Sequence, residues 1–440
     1  MKILSILSYE WKHFVRSPFK VVALLLFVLA AAYGLHNGAS LYHGQTAEIE
    51  RIKETIDENR QEYLAYYEEG KTGPENAPWI NMTEPFWAVW FNYIYHFKTP
   101  SPASVYSMGQ AEQYGYYKRV TFWASPYDAD MTQEIANPER LQTGTLDFSF
   151  ALLFLLPLLL LTLLYNIKSM EAEQGFLSLI EVQAASKHTW LLSRVSFYVG
   201  LLAVLIFGLL LYGAMLTGVF STSSGAFGQI LLYSLLYLLF WSVIYYLILQ
   251  GGESILSNTL KMVGAWLVVA FILPAAVLQW ISMEKPANLM TELIDAKRDK
   301  QQELFDLPDS IVRAKMITLF PEIPESPAAQ DSTKIDGAYS DTYSALVNEL
   351  MKESIAPIEA DNETKNRLVR NSYWVSPITF FQNRFNAIAQ THYDDYQNYR
   401  NEIQLMIDKQ IRSMLLDTWN ATEVDKQKFL DYHTSLKIDE

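Results

Sequence analysis

Apolar residues in this chain are gathered into five runs separated by polar stretches of very unequal length. The runs are Val21–Leu35 (VVALLLFVLAAAYGL), Phe148–Tyr165 (FSFALLFLLPLLLLTLLY), and stretches beginning near Val195, Ile230 and Met262. About 20 helical residues cross ~30 Å of hydrocarbon, and no run carries an internal charge or the polar stripe of a soluble core helix. The pattern predicts an α-helical integral membrane protein with transmembrane helices over 19–36, 147–165, 191–220, 229–250 and 262–283. The first run is the shortest, and Lys20 at its edge is expected to snorkel and lengthen it. An uncleaved span is favoured there over a signal peptide, because Phe19 extends the run.

The remaining chain falls into short connections and two long polar regions, 37–146 and 284–440. Ile3, Leu4, Leu7, Trp11, Phe14 and Val15 share one face of a helix that ends at Ser17-Pro18, predicting an amphipathic helix over 1–18 lying in the membrane interface. In the first long region, Thr46–Lys71 reads as a helix, and the aromatic stretch PFWAVWFNYIYHF reads as a domain core or an outer-leaflet contact. In the second, Asn288–Glu303, Ala338–Ser354 and Tyr393–Leu416 read as helices, with a loop at Pro321, Pro324 and Pro327. Two mainly helical extracytoplasmic domains are therefore expected.

Charge supplies orientation. The formal net charge of −14 resides in the long regions: 15 acids against 8 bases over 37–146, and 27 against 18 over 283–440. Such regions do not suit nucleic acid, whose phosphates need basic patches. Lys2, Lys12, Arg16 and Lys20 precede the first span, and Lys168, Lys187 and Arg194 lie between the second and third, while the tight connection Ser221–Gln229 is uncharged. The positive-inside bias of short loops predicts a cytoplasmic N-terminus and external long regions. The chain has no cysteine, so neither disulfides nor thiolate metal sites stabilise it.

Catalytic patterns are thin. Gly70-Lys71-Thr72 resembles the end of a phosphate-binding loop, but Ala65 stands where a glycine is needed. The seven histidines never pair at ligand spacing within a helix. The segment after span two is more informative: Glu171 and Glu173 lie about 200° apart on a helix, so they form no paired-acid site. Gly175 then permits a turn into a short amphipathic helix, Phe176–Gln183.

Residues 137–194 (NPERLQTGTLDFSFALLFLLPLLLLTLLYNIKSMEAEQGFLSLIEVQAASKHTWLLSR) resemble the signature of ABC type-2 permeases, with an acid before span two, a proline within it and an E-x-E-x-G-x-L turn after it. YEWKHFVRSP (9–18), SPASVYSMGQAEQYGYYKRVT (101–121) and YWVSPITFFQNRFNAIAQTHYDDYQNYRNEI (373–403) are similar to the branch with large outer domains linked to copper-enzyme maturation. The resemblance implies the permease subunit of an ABC exporter in the cell (inner) membrane, paired with a second copy or a paralogue. It binds two cytoplasmic ATPase subunits that carry ATP and Mg, and it is not itself an enzyme. Glu171, Glu173, Gly175, Phe176 and Leu177 would sit at the coupling contact. Asp147 and Pro157 would mark either the pathway or, for Asp147, a helix cap. The family usually closes with a sixth span, and no apolar run follows Leu416, so either that span is absent or the sequence stops before it. Competing readings are a mechanotransmitter that moves outer domains without transport, and a stand-alone membrane-anchored sensor or enzyme.

Overall fold

The computed structural model describes residues 3–128, 146–183, 186–252, 254–284, 298–299 and 302–436. Helix α1 (Ile3–Val15) ends at Ser17, and Pro18 opens α2 (Pro18–Glu68) at a position where its missing N–H costs nothing. Next come α3 (Pro85–Phe91), strand β1 (Ile94–Phe97) and strand β2 (Tyr117–Val120). The second apolar helix, α4 (Phe148–Glu173), leads through a glycine turn to α5 (Leu177–Gln183). Then follow α6 (Lys187–Thr217), α7 (Ser224–Gly251) and α8 (Ile255–Glu284). The last stretch holds α9 (Asp309–Leu319), α10 (Ile335–Asp341), α11 (Tyr343–Asn371), α12 (Pro377–Ala389), α13 (Tyr393–Trp419) and α14 (Lys426–Leu436).

Five helices, α2, α4, α6, α7 and α8, are long and apolar enough to cross a membrane, and they mark the chain as membrane-embedded. They form one bundle, with α1 at one end and the long polar regions at the other. The bundle closes tightly near the polar end because α2 has no Cβ where it meets its neighbours. A Cβ on Gly34 would lie 2.5 Å from the Asp147 carbonyl carbon, and one on Gly38 would lie 2.6 Å from the Val105 carbonyl oxygen. This is small-xxx-small packing used within a single chain.

Helix α2 does not stop at the end of its apolar run. Its 51 residues form one helix about 75 Å long, so the sequence-predicted helix at Thr46–Lys71 is the far half of the span-one helix. Its far end joins a second hydrophobic core. There Met82, Ala88, Val89, Val120 and Phe122 pack with Met316, Leu346, Ile403, Ile407, Met414, Trp419 and Phe429. The expectation of two separate polar domains thus gives way to one core built from both regions. The aromatic stretch supplies α3 and β1, and β1 pairs antiparallel with β2 in the register Ile94↔Val120, which the helical reading missed. Helix α13 starts where expected, at a capping box between His392 and Asp395. The expected helix at Asn288–Glu303 lies mostly outside the described residues.

Two pieces of the polar regions return to the bundle. Ala103, Val105 and Tyr106 pack on α2 and α6, and Ile378, Phe381 and Phe385 of α12 join the same membrane core. Helix α12 rests on α7 and on the π-helical turns of α4 (Ala151–Leu155) and α8 (Val268–Ile272).

Candidate functional site: the elbow after the second span

The last turn of α4, Ser169–Glu173, ends in a motif that fixes the chain's exit direction. Gly175 takes φ +76°, its N–H bonds the Ala172 carbonyl at 3.1 Å, and the Phe176 N–H bonds the Glu171 carbonyl at 2.9 Å. This is a Schellman closure, in which the left-handed residue is glycine because a Cβ is penalised there. Helix α5 therefore leaves at a defined angle. Leu177 and Ile180 pack against the membrane core. Phe176, just ahead of α5, and Leu179 and Val182 on it are exposed, Val182 at 85%. Leu177, expected on the docking face beside Phe176, is instead turned toward its own bundle.

The two glutamates go to different partners, as their angular separation on a helix requires. The Glu173 carboxylate accepts the Ile255 N–H at 2.8 Å, at the start of α8 where free amide donors attract an anion. Lys168 donates to the Leu249 and Gln250 carbonyls, both at 2.9 Å, at the end of α7 where free acceptors attract a cation. Asn258 Nδ2 donates to Ser169 Oγ at 2.6 Å. Together these contacts tie the root of the elbow to both sides of the α7–α8 connection.

Glu171 faces the other way, into a buried charge cluster. Arg194 of α6, 2% exposed, meets Glu10 of α1 through Nε at 2.5 Å and Glu171 through Nη1. The Trp190 ring lies 5.0 Å from the guanidinium carbon. Glu10 is 0% exposed, and the Tyr198 hydroxyl of α6 belongs to the same cluster. Lys20 Nζ donates to that hydroxyl at 3.3 Å and to the Leu163 carbonyl of α4 at 2.7 Å. Lys20, 1% exposed, thus points into the protein rather than snorkelling, held by a carbonyl and a hydroxyl.

The apolar face read from the sequence leaves out Glu10. The buried face is Ile6, Glu10 and Phe14, spaced four residues apart, while Trp11 and Val15 are exposed. In a membrane-embedded protein an apolar stripe can face lipid, so the inward face of α1 is marked by the acid that needs a partner. A glutamate exactly four residues from two apolar neighbours was the available signal.

At the polar end, Asp147 caps α4. Its Oδ1 accepts the Phe150 N–H at 2.7 Å, and its Oδ2 accepts the Met108 N–H at 3.1 Å. Pro157 has no N–H for the Leu153 carbonyl, and the Tyr237 hydroxyl of α7 donates to it instead, at 2.5 Å. Trp266 Nε1 donates to Phe154 and the Tyr245 hydroxyl to Pro157, both at 3.2 Å. The break in α4 is therefore held by side chains of α7 and α8.

Comparison with family models, curated proteins and solved structures finds no match to this chain.

Proposed function

We propose that this chain is the membrane subunit of an ATP-driven exporter and that α5 docks on a separate cytoplasmic ATPase pair carrying ATP and Mg. The carrying observation is the exposure of Phe176, Leu179 and Val182, on and just ahead of a short helix whose root is tied to α1, α6, α7 and α8. A large apolar side chain presented on a rigid base suits insertion into a partner's groove, where it excludes water and dominates binding. The resemblance around 137–194 and 373–403 supports the same reading, and it adds a second permease copy or paralogue across the membrane. Domain motion in the ATPase pair would displace the elbow and bias the bundle between two states, as alternating access requires.

The test is affinity purification of the tagged chain from its native membranes, with bound ATPase subunits identified by mass spectrometry. The parent should bring down an ATP-binding subunit, and Phe176→Asp should lose it by burying an unpaired charge in the contact. Recovery of equal ATPase with Phe176→Asp would remove α5 as the docking element. Absence of any ATPase from the parent would remove the class.

One observation favours a second reading, mechanical transmission without transport. Helix α2 runs unbroken from the bundle into the polar domain's core, so motion of the bundle would reach that domain through a single stiff element. Substrate flux into vesicles distinguishes the two readings: ATP hydrolysis that moves the domain without flux selects transmission.

A further inference from the structure

We propose that Arg194 is a positioning residue that holds α1 and the elbow together as one moving unit. Its link to ATP coupling rests on the docking reading above, but the mechanical claim stands on geometry alone. The guanidinium is planar and offers donors along separate edges, so one side chain can engage two carboxylates from different elements. Here Nε lies 2.5 Å from a Glu10 oxygen of α1 as a close ion pair, and Nη1 donates to Glu171 at the base of the elbow. Lys20 extends the cluster from Tyr198 of α6 to α2 and to the α4 backbone.

The cluster contains two acids, Glu10 and Glu171, and two bases, Arg194 and Lys20, with His13 beside them. The two acids and two bases are matched in number, which is how buried charge is tolerated next to a bilayer. Breaking the Glu10 contact leaves a fully buried carboxylate without its nearest cation. The elements therefore gain by moving together rather than separately, and a push on α5 is delivered to α1 as well as to α4. A lysine at 194 would retain the charge but not the fork, and could satisfy only one of the two acids well.

The chain has no cysteine, so paired labels can be introduced without background. Spin labels at Trp11→Cys on α1 and Val182→Cys on α5, both exposed positions, report the separation of the two elements. A reference pair at Tyr212→Cys and Leu232→Cys reports the polar end of α6 and α7. In the full chain in nanodiscs, the 11–182 distance distribution should be narrow. It should widen at least twofold in Arg194→Lys and in Glu171→Gln, with the reference pair unchanged. Unchanged 11–182 widths in both variants would overturn the proposal, and so would equal widening of the reference pair, which would mean general loosening. The measurement needs no ATPase, so failure of the parent to bind one would sink the docking reading and leave this result to stand or fall separately.

Discussion

Gly34 and Gly38 carry a constraint that only the structure makes visible. Each sits where α2 touches backbone, so an added methyl has no flexible side chain to displace. Gly38→Ala should destabilise the bundle by about 1–3 kcal/mol, the range for overpacking, and lower the melting temperature in detergent. Gly200→Ala should leave it unchanged or slightly raised, since nothing lies within 4 Å of that position. An equal loss in both variants would refute the backbone-contact argument. Three other glycines, Gly200, Gly208 and Gly213, lie in the apolar helix α6. Of these only Gly213 is confined, against Tyr106 and Leu35. Spacing alone could not rank these positions, because a glycine on a lipid face and one in a helix contact look alike in a single sequence.

A second residue-scale prediction concerns the polar domain. Burial, with the Glu84 carboxylate adding to it, pushes the Asp341 carboxyl up from 3.8 to about 6. The folded state then binds this proton more tightly than the unfolded chain does. The group's destabilising contribution is absent below about pH 4, grows as pH rises through the window, and is complete above about pH 6. Asp341→Asn should therefore raise the domain's melting temperature at pH 7 and give no advantage at pH 4. A benefit independent of pH across that window would show that ionisation is not the cause.

At the scale of elements, the second span is a helix with a designed break. Pro157 was legible as a break from the sequence, but the donors that repair it were not. Nothing local in the sequence says which of the tyrosines on α7 faces α4. Tyr237→Phe should cost roughly 0.5–1.5 kcal/mol by leaving the Leu153 carbonyl unpaired. In a Pro157→Ala background the new N–H can serve that carbonyl, so the same substitution should cost clearly less. Thermal melts of the four proteins close this double-mutant cycle, and additive costs would reject the compensation. The elbow was partly legible in the same way. Gly175 announced the turn, and the 200° between Glu171 and Glu173 announced separate roles. Their partners Arg194 and Ile255 lie 23 and 82 residues away, and no periodicity encodes such pairings.

At the scale of the whole molecule, segregation of apolar and acidic stretches identified the spans, while the union of the two polar regions into one core left no local trace. That union ties residues near 82–122 to residues beyond 304, both mounted on the far end of α2. Orientation is the property on which every cytoplasmic role of the elbow depends. It rests on bases clustered at the α1 end, and three of them, Lys20, Lys168 and Arg194, are buried in internal contacts in the folded chain. The bias acts on the chain during insertion, before those contacts form, so their later burial does not weaken it. Single cysteines at Glu54, exposed on the far half of α2, and at Val182 on α5 test the outcome directly. In intact cells an impermeant thiol reagent should label Glu54→Cys and spare Val182→Cys, and permeabilisation should expose both. Labelling of Val182→Cys from outside would place the elbow on the external face, beyond reach of any cytoplasmic ATPase. The buried charge cluster would then need a role tied to the outer surface.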